Sequence, residues 1–338
     1  MKDVARIAQV SPSTVSRVIQ NHPSISDKTT AHVKAIMSDL GYIPNLTARS
    51  LITKKTKTIG IILKSASKDV RQNPFYSDVL HGITQRCNEE GYAIKSTIST
   101  SEESLFQEVQ GMIHTHAVDG FILLFSKSNN VIKQLLIDED VPFVVIGKPL
   151  DEKDQFIIHI DNDNEKAGHD LCSYLYHKGH RHIIFINESG QYAVTDDRST
   201  GFRDEARQRG ITHEILETKN NRESIQTLLQ TYFMNEELSV RPTAIISSDG
   251  VIHHTVLSVL YNLNIQIPAD VCTATFNDSL LTEMGSPPQT TVNIHPVELG
   301  NKSGEKIIQL LNQREVSKDN VWIPTTIIER ESTNNIKE

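Results

Sequence analysis

Carboxylate, guanidinium and aromatic side chains occur along the sequence at places where together they could bind a small polar ligand. From residue 59 onward, short apolar runs alternate with helical stretches, which predicts parallel strands connected by helices. Ligands of such sheets bind outside the carboxyl ends of the strands. A sugar requires planar hydrogen-bonding groups for its hydroxyls and apolar faces for its C–H patches. The residues that meet this requirement, and that we expect to bind the ligand, are Phe75, Tyr76, Asp161, Arg198, Asp249, Asn277 and Asp278.

Three of these residues also have a structural alternative. Asp249, Asp278 and Arg198 could act as helix caps or ion-pair partners without touching a ligand. We expect Arg198 to start a helix over residues 198–209 and to reach back from there into the cleft. The sequence leaves both alternatives open.

Other groups of reactive residues predict neither a metal site nor an enzyme. The histidine pairs lack the spacing of a zinc site with partner ligands, and the sequence contains no phosphate-binding glycine loop and no nucleophile elbow. We therefore expect no metal, no cofactor and no catalytic residue. The histidine pairs are His114 and His116, His180 and His182, and His253 and His254.

The sequence also indicates where the protein resides. No apolar run approaches the ~20 residues that a membrane span needs, and the first ten residues lack the apolar segment of a secretory signal. The three cysteines are far apart and odd in number, so a disulfide framework is not expected. We expect a cytoplasmic protein with no membrane partner.

Positive charge is concentrated at the amino-terminal end of the chain. Residues 1–58 contain nine Lys or Arg and three Asp, a net charge of +6, whereas the whole chain of 338 residues has a net charge of −8, so the remainder carries −14. A short segment can deviate in charge by chance. A basic head on an acidic body would nevertheless confine phosphate attraction to one end of the molecule, as DNA binding requires.

The first 44 residues predict a helix-turn-helix unit. A short helix over residues 2–8 ends at Gln9-Val10. Ser11 is placed to cap a second helix over residues 12–19, and Ser26 is placed to cap a third. Two helices joined by a tight turn, with a supporting third helix, form the unit that reads the major groove of DNA.

The amino-terminal part of the second helix should enter that groove. Arg17 is the best candidate for a base contact, because a guanidinium can bond guanine O6 and N7 together, although it could instead touch phosphate alone. Pro12, Ser13 and Ser16 should point outward beside it. The residues that we expect to contact phosphates, or to serve as simple caps and turn residues, are Ser11, Thr14, Asn21 and Thr29.

The remaining residues predict an α/β body. Its strands could form one sheet, but two parallel sheets with a cleft between them suit ~270 residues better. The strand candidates are Ile59–Leu63, Tyr92–Ile98, Gly120–Phe125, Phe143–Gly147, Phe156–Asp161, His182–Asn187, Thr243–Ser247, Val271–Phe276 and Thr290–Ile294. The helix candidates are residues 75–90, 102–116, 164–178, 198–209, 250–263 and 296–313.

Spaced elements of the sequence resemble the LacI/GalR family of bacterial transcription repressors, and the resemblance covers essentially the whole chain. The residues of these elements are most similar to those of the maltose-operon repressors of Gram-positive bacteria. Two departures stand out, since a Thr-Ile pair usually precedes Lys2-Asp3 and glycine usually stands at Gln9. The matching elements include Asp3-Val4-Ala5-Arg6-Ile7-Ala8, Thr14-Val15-Ser16-Arg17-Val18, Gly41-Tyr42-Ile43-Pro44-Asn45, Ala48-Arg49-Ser50-Leu51, Asn73-Pro74-Phe75-Tyr76, Arg198-Ser199-Thr200-Gly201-Phe202 and Phe276-Asn277-Asp278.

The resemblance implies a helix-turn-helix head over residues 1–44, followed by a hinge helix and linker over residues 45–58. In the family, paired hinge helices lie in the minor groove, so Asn45, Ala48 and Leu51 should contact DNA, with Leu51 wedged into the central base step. A piece this short should order only against DNA. The implied protein is a homodimer on a near-palindromic operator in double-stranded DNA.

The resemblance also implies a periplasmic-binding-protein-like body of two doubly wound subdomains, with crossovers near residues 160, 291 and 322. In the family, effector contacts fall at the positions of Arg198, Asp161 and one member of the Asn277-Asp278 pair. Asn277 replaces a usual Asp, which points to a changed effector. The expected boundaries are a body over residues 59–330, an N-subdomain of 59–160 and 292–321, a C-subdomain of 161–291 and 322–330, and a polar tail of 331–338.

The sequence thus predicts a repressor of carbohydrate utilisation genes that responds to a small sugar, with maltose or maltodextrin the expected effector. Such control would be allosteric, through a body cleft that acts on the head. The alternative within the same class is a regulator that needs a phosphocarrier-protein corepressor. An exported sugar-binding protein and an enzyme are the competing classes. The missing signal segment and the added head argue against the first, and only scattered acids and histidines support the second.

Overall fold

The computed structural model describes residues 1–19, 22–42, 55–63, 73–188, 193–235, 240–312 and 319–334. The chain divides into two compact units, Met1–Thr56 and Lys57–Glu338. Among the described residues, no helix combines the length and the apolar character that crossing a membrane would demand.

The first unit contains the three predicted helices: α1 (Lys2–Ile7), α2 (Pro12–Ile19) and α3 (Asp27–Asp39). The predicted caps are present, since Ser11 Oγ accepts from the Thr14 N–H at 3.1 Å and Ser26 Oγ accepts from the Thr29 N–H at 3.2 Å. Gln9 lies in the left-handed region with φ 52°, which costs a residue with a side chain on the order of 1 kcal/mol. A small core holds the helices together: Val4, Ala5, Ala8, Val15, Val18 and Val33.

The second unit has two lobes, each built on a six-stranded sheet, so the expected pair of sheets is confirmed. The first sheet is parallel throughout, in the order β11-β5-β4-β3-β1-β2. Its strands are β1 (Thr58–Ile62), β2 (Ala93–Ser96), β3 (Gly120–Leu123), β4 (Phe143–Ile146), β5 (Ile158–Asn162) and β11 (Val321–Ile323). The helices of this lobe are α4 (Pro74–Glu89), α5 (Glu102–His114), α6 (Val131–Asp138) and α12 (Pro296–Leu311).

The second sheet runs in the order β12-β10-β9-β8-β6-β7, and only β12 is antiparallel to its neighbour. Its strands are β6 (His182–Glu188), β7 (Thr212–Thr218), β8 (Ala244–Ser247), β9 (Cys272–Phe276), β10 (Thr290–Asn293) and β12 (Thr326–Ile328). The helices of this lobe are α7 (Asn164–His177), α8 (Ala193–Arg209), α9 (Arg222–Phe233), α10 (Gly250–Asn262) and α11 (Leu280–Glu283). Buried apolar side chains cover both faces of each sheet.

The chain passes between the lobes three times, slightly later than the sequence suggested. Asn162 ends β5 in the first sheet, Asn293 ends β10 in the second, and Ile323 ends β11 in the first. The crossovers therefore lie one to two residues beyond the expected 160, 291 and 322.

Two element boundaries differ more. Helix α8 begins at Ala193 rather than at Arg198, so Arg198 lies in its second turn and not at its start. The expected strand Phe156–Asp161 begins only at Ile158, because residues Glu152–Phe156 form a 3-10 helix that leaves Phe156 exposed. An Arg in a helix interior is held more rigidly than one in a frayed first turn.

Helices α7 and α8 approach so closely that only glycine fits at their contact. A Cβ atom on Gly201 would lie 1.8 Å from the Glu165 carbonyl oxygen, and one on Gly168 would lie 2.0 Å from the Arg198 carbonyl oxygen. The contact fixes the part of α8 that carries Arg198 against the start of α7.

We expect Gly201→Ala to lower the free energy of unfolding by about 2 kcal/mol, because the added methyl group must push backbone atoms apart. The matched control is Gly111→Ala in α5, where a Cβ would meet no atom within 4 Å. That change should raise stability by up to about 1 kcal/mol, since alanine favours helix. Urea denaturation measures both. If the two variants are equally stable, the contact between α7 and α8 has room for a methyl group at position 201.

Candidate functional site

A cleft with a cavity volume of about 170 Å³ lies where the carboxyl ends of the two sheets face each other. Both lobes contribute to its wall, as expected for a ligand site of parallel sheets. Six of the seven residues that the sequence suggested for ligand binding line it together: Phe75, Tyr76, Asp161, Arg198, Asp249 and Asn277.

Arg198 is the central cation of the cleft, and only 2% of its surface is exposed. Its Nε donates to Asn164 Oδ1 at 3.0 Å, its Nη1 to the Ser248 carbonyl at 2.9 Å, and its Nη2 to Asn277 Oδ1 at 3.1 Å. Its guanidinium carbon lies 4.6 Å from the centroid of the Phe276 ring. One side chain thus joins α7 to the residues that follow β8 and β9.

Burial lowers the pKa of Arg198 to about 10, although nearby carboxylates, with Asp249 first among them, oppose the shift. The side chain is therefore still a cation at neutral pH. Its hydrogen bonds hold the guanidinium in one orientation before any ligand binds. The side chain therefore loses less conformational entropy when a ligand binds.

Asp161 contributes a carboxylate from the carboxyl end of β5 in the first sheet. Its Oδ1 accepts from the Asn162 N–H at 2.8 Å and from Asn164 Nδ2 at 3.3 Å. Burial raises the pKa of Asp161 to about 6, and the charge of Asp197 adds to this, while the Asn162 hydrogen bond and the Arg198 charge act in the other direction. At neutral pH the group is mostly an anion in a site that disfavours anions, so it is poised to accept ligand hydroxyls.

An aromatic pair forms the wall of the first lobe. Phe75 and Tyr76 begin α4, and their rings meet edge to face with centroids 5.3 Å apart. Asn73 caps the helix by accepting from the Phe75 N–H at 3.0 Å. This cap fixes where the helix starts and so presents the two rings to the cleft.

Asp249 combines the two roles that the sequence left open. It lines the cleft and also caps α10, since its Oδ1 accepts from the Val251 N–H at 2.6 Å and the Ile252 N–H at 3.2 Å.

Asp278 instead lines a smaller neighbouring pocket. Its Oδ1 accepts from Arg330 Nη1 at 2.7 Å and from Thr291 Oγ1 at 2.7 Å, and these partners hold the pKa of Asp278 below its usual value despite burial. Asn277, and not Asp278, is the member of the pair that reaches the main cleft.

Sequence analysis missed several polar residues of the cleft. Lys148 and Ser248 directly follow predicted strands, so the strand-end rule could have identified them. Asn220 follows β7, a strand that was not predicted. Ser248 Oγ is buried and has no hydrogen-bond partner among the described residues, which marks it as a group available to a ligand.

Lys148 ties the two lobes together at the cleft. Its Nζ donates to Asp197 Oδ1 of α8 at 2.5 Å, and the carboxylate is largely buried. Lys148 follows β4 of the first lobe, so this ion pair exists only while the lobes are near each other. Its geometry therefore depends on how far the cleft is closed.

The first unit presents a second candidate surface, on α2. Val15 and Val18 are buried, while Pro12, Ser13 and Arg17 are exposed, so the helix shows a polar side to solvent. Among the other suggested DNA contacts, Ser11 is exposed, whereas Thr14, Ser16 and Thr29 are half-buried. Four suggested contacts lie outside the described residues, as does most of the expected hinge: Asn21, Asn45, Ala48 and Leu51.

Within the described part of the chain, no group of three or more His, Cys, Asp or Glu side chains is placed to hold a metal ion. The site is thus made of hydrogen-bonding groups and aromatic rings.

Both units of the chain contain a match to a known protein family. Residues 1–45 match the family model described as bacterial regulatory proteins of the lacI family, and residues 172–333 match a periplasmic binding protein-like domain. The chain is 46% identical to the HTH-type transcriptional regulator MalR of Staphylococcus xylosus over 338 residues, which is 100% of this chain and 99% of that protein. The chain belongs to the LacI family.

Other members of the LacI family agree with this assignment. The HTH-type transcriptional regulator MalR of Streptococcus pneumoniae is 35% identical over 94% of each chain. The crystal structure of a probable maltose operon repressor MalR from Staphylococcus aureus has a TM-score of 0.79 and 45% identity, and covers 83% of this chain and 99% of its own. The lac repressor dimer bound to operator has a TM-score of 0.79 over 98% of both chains, but at 22% identity it supports the fold alone. As a LacI-family protein with this head, the chain is a transcription regulator.

Proposed function

We propose that this protein represses genes for maltose or maltodextrin utilisation and that a neutral glucose-containing sugar in the cleft releases it from its operator. The observation that carries the proposal is the cleft itself: a pre-bonded Arg198, the Asp161 carboxylate and an aromatic pair face one another between two lobes. The likeness to MalR proteins supports maltose as the sugar.

The charges of the cleft favour a neutral ligand over a sugar phosphate. The lining holds three carboxylates, Asp161, Glu188 and Asp249, against two cations, Lys148 and Arg198. The Lys148 charge is already matched by Asp197. A phosphate would bring two negative charges to a cleft whose described lining residues include no spare cation, at a cost of several kcal/mol.

Sugar binding would reach the head through the position of the lobes. A ligand that bonds residues of both lobes stabilises one degree of closure over another, and it can shift the protein only by its difference in affinity for the two states. In the proposed dimer, closure would separate the first lobes of the two chains and with them the segments over residues 45–58. The coupling typical of such systems is 1–3 kcal/mol.

On the DNA side, we expect Arg17→Ala to weaken binding to the operator about ten- to hundredfold, because a bidentate guanine contact contributes ~1–3 kcal/mol. Binding to unrelated duplex should change little. The matched control is Arg6→Ala, which removes an exposed arginine that pairs with Asp3 at 3.4 Å in α1. Fluorescence anisotropy on DNA first footprinted with the unaltered protein measures both. Equal losses on specific and unrelated DNA would reassign Arg17 to phosphate.

Direct binding of sugars tests the ligand. The single tryptophan, Trp322, pairs in register with Asp161, so its fluorescence should respond to occupancy of the cleft. We expect maltose to change this fluorescence and to release heat in calorimetry, and glucose 6-phosphate to do neither. If no sugar binds while a phosphorylated phosphocarrier protein raises operator affinity, the corepressor alternative replaces this proposal.

A further inference from the structure

We infer that the cleft continues past Phe125 into an outer compartment, and that this compartment binds further glucose units of an effector longer than maltose. The inference rests on the proposed function and extends it. The outer compartment is the cavity of about 270 Å³ lined by Thr100, Glu102, Phe125, Lys127, Asn129 and Val131, among others.

Phe125 lines both cavities and so lies between them. It follows β3 at the carboxyl edge of the first sheet, and it packs against the buried cluster that contains Leu105 and Ile132. The buried cluster therefore packs against the Phe125 ring and holds it in position. An aromatic ring at the junction of two cavities can carry the apolar face of a sugar that extends from one into the other.

The outer compartment has an apolar floor and a polar rim. Leu105 and Ile132 are buried beneath it, and Val131 is 54% exposed beside them. At the rim, Lys127 pairs with Glu102, and both side chains remain largely accessible to water. A floor for C–H groups with hydrogen-bonding groups at its edge is the composition that carbohydrates require.

The rim also suits an uncharged chain. The Lys127 and Glu102 charges cancel, so the compartment attracts neither anions nor cations strongly, while both groups can still bond hydroxyls. Asn129 adds an amide on a fixed loop, since its backbone N–H donates to Asp151 Oδ2 at 3.2 Å. The same neutral, hydroxyl-rich ligand chemistry is thus repeated on both sides of Phe125.

The volume of the outer compartment, about 270 Å³, bears on chain length, because it offers room for sugar units beyond those in the cleft. Maltose alone would leave the outer compartment to water.

The test is calorimetry on the full-length protein with maltose, maltotriose and maltotetraose, paired with Trp322 fluorescence. We expect the affinity to rise about ten-fold or more from maltose to maltotetraose, as one or two added hydrogen bonds and a stacked ring would provide. Val131→Trp should fill the outer compartment and remove this gain without changing the affinity for maltose. Val131→Ala is the matched control and should keep the gain.

The binding results distinguish this inference from the proposed function on which it rests. Equal affinity for all three glucans, with maltose binding intact, overturns the outer compartment and leaves the proposed function standing. A gain with chain length that Val131→Trp does not affect also overturns it, because the extra units then bind elsewhere. Absence of binding by every glucan overturns both.

Discussion

Replacing Arg198 with methionine should abolish the response of this regulator to maltose, with a loss of sugar affinity of a hundredfold or more. The guanidinium donates to Asn164, Ser248 and Asn277 at once, so its removal frees the three residues that shape the second lobe's side of the cleft. It also leaves Asp161 and Asp249 without their nearest cation. Breaking a buried charged network of this kind costs about 3–5 kcal/mol.

Methionine is chosen because it keeps much of the volume of arginine and so limits collapse of the site. Arg198→Lys keeps the charge but cannot form three bonds in one plane, and it should also lose most of the response. The control is Arg207→Met, an exposed position on the same helix. Anisotropy of labelled operator with increasing maltose measures all three. A normal maltose response in Arg198→Met, with folding confirmed by circular dichroism, would remove Arg198 from the effector site.

The second large effect concerns Asp161, where function and stability oppose each other. Asp161→Asn should weaken sugar binding about ten- to hundredfold, because hydrogen bonds to a charged acceptor contribute ~1.5–3 kcal/mol. The same change should stabilise the protein. Since the folded pKa of about 6 is above the reference value of 3.8, the folded state holds its proton more tightly than the unfolded state.

The consequence is a defined dependence on pH. Ionised Asp161 lowers stability at pH 7 and above, and this penalty fades as the pH falls through about 6, where the group gains its proton. The asparagine variant should therefore be more stable than the unaltered protein by about 3 kcal/mol at pH 8, and the difference should shrink toward pH 5. Asn162 and Asn164 can still donate to the asparagine oxygen.

Urea denaturation at pH 5 to 8 measures this difference. The control is Asp163→Asn, two residues away, where Asp163 caps α7 and asparagine can do the same. That variant should keep the stability of the unaltered protein, because asparagine caps a helix as well as aspartate does. If Asp161→Asn has the same stability as the unaltered protein at pH 8, the carboxylate does not carry the cost that its burial implies.

The fold was predictable where strands lie in the middle of a sheet. Such strands are covered on both faces, so they occur as continuous apolar runs, as in β3 and β4. Strand β7 was missed because it lies at the sheet edge and carries polar residues such as His213, Glu214 and Glu217. Strands β11 and β12, with three residues each, are too short to show a period.

The candidate site was predictable only as far as strand ends identify it. Asp161 lies at the end of β5, Asp249 and Asn277 follow β8 and β9, and all three reach the cleft as the rule for parallel sheets requires. Asp278 does not, because it turns to Arg330, a partner 52 positions away that spacing cannot reveal. Lys148 met the rule and was overlooked, and its role depends on Asp197 from the other lobe. The outer compartment could not be found from sequence, because its residues come from separate loops that only folding brings together.

Control of DNA binding by a sugar in the cleft is the central proposal for this regulator. The most direct test is the operator affinity of the purified protein, measured by fluorescence anisotropy with and without saturating maltose or maltotetraose at constant salt. We predict a fall of about 5- to 150-fold, the range of 1–3 kcal/mol in coupling free energy. An operator affinity that stays the same while calorimetry shows the sugar bound would contradict the account.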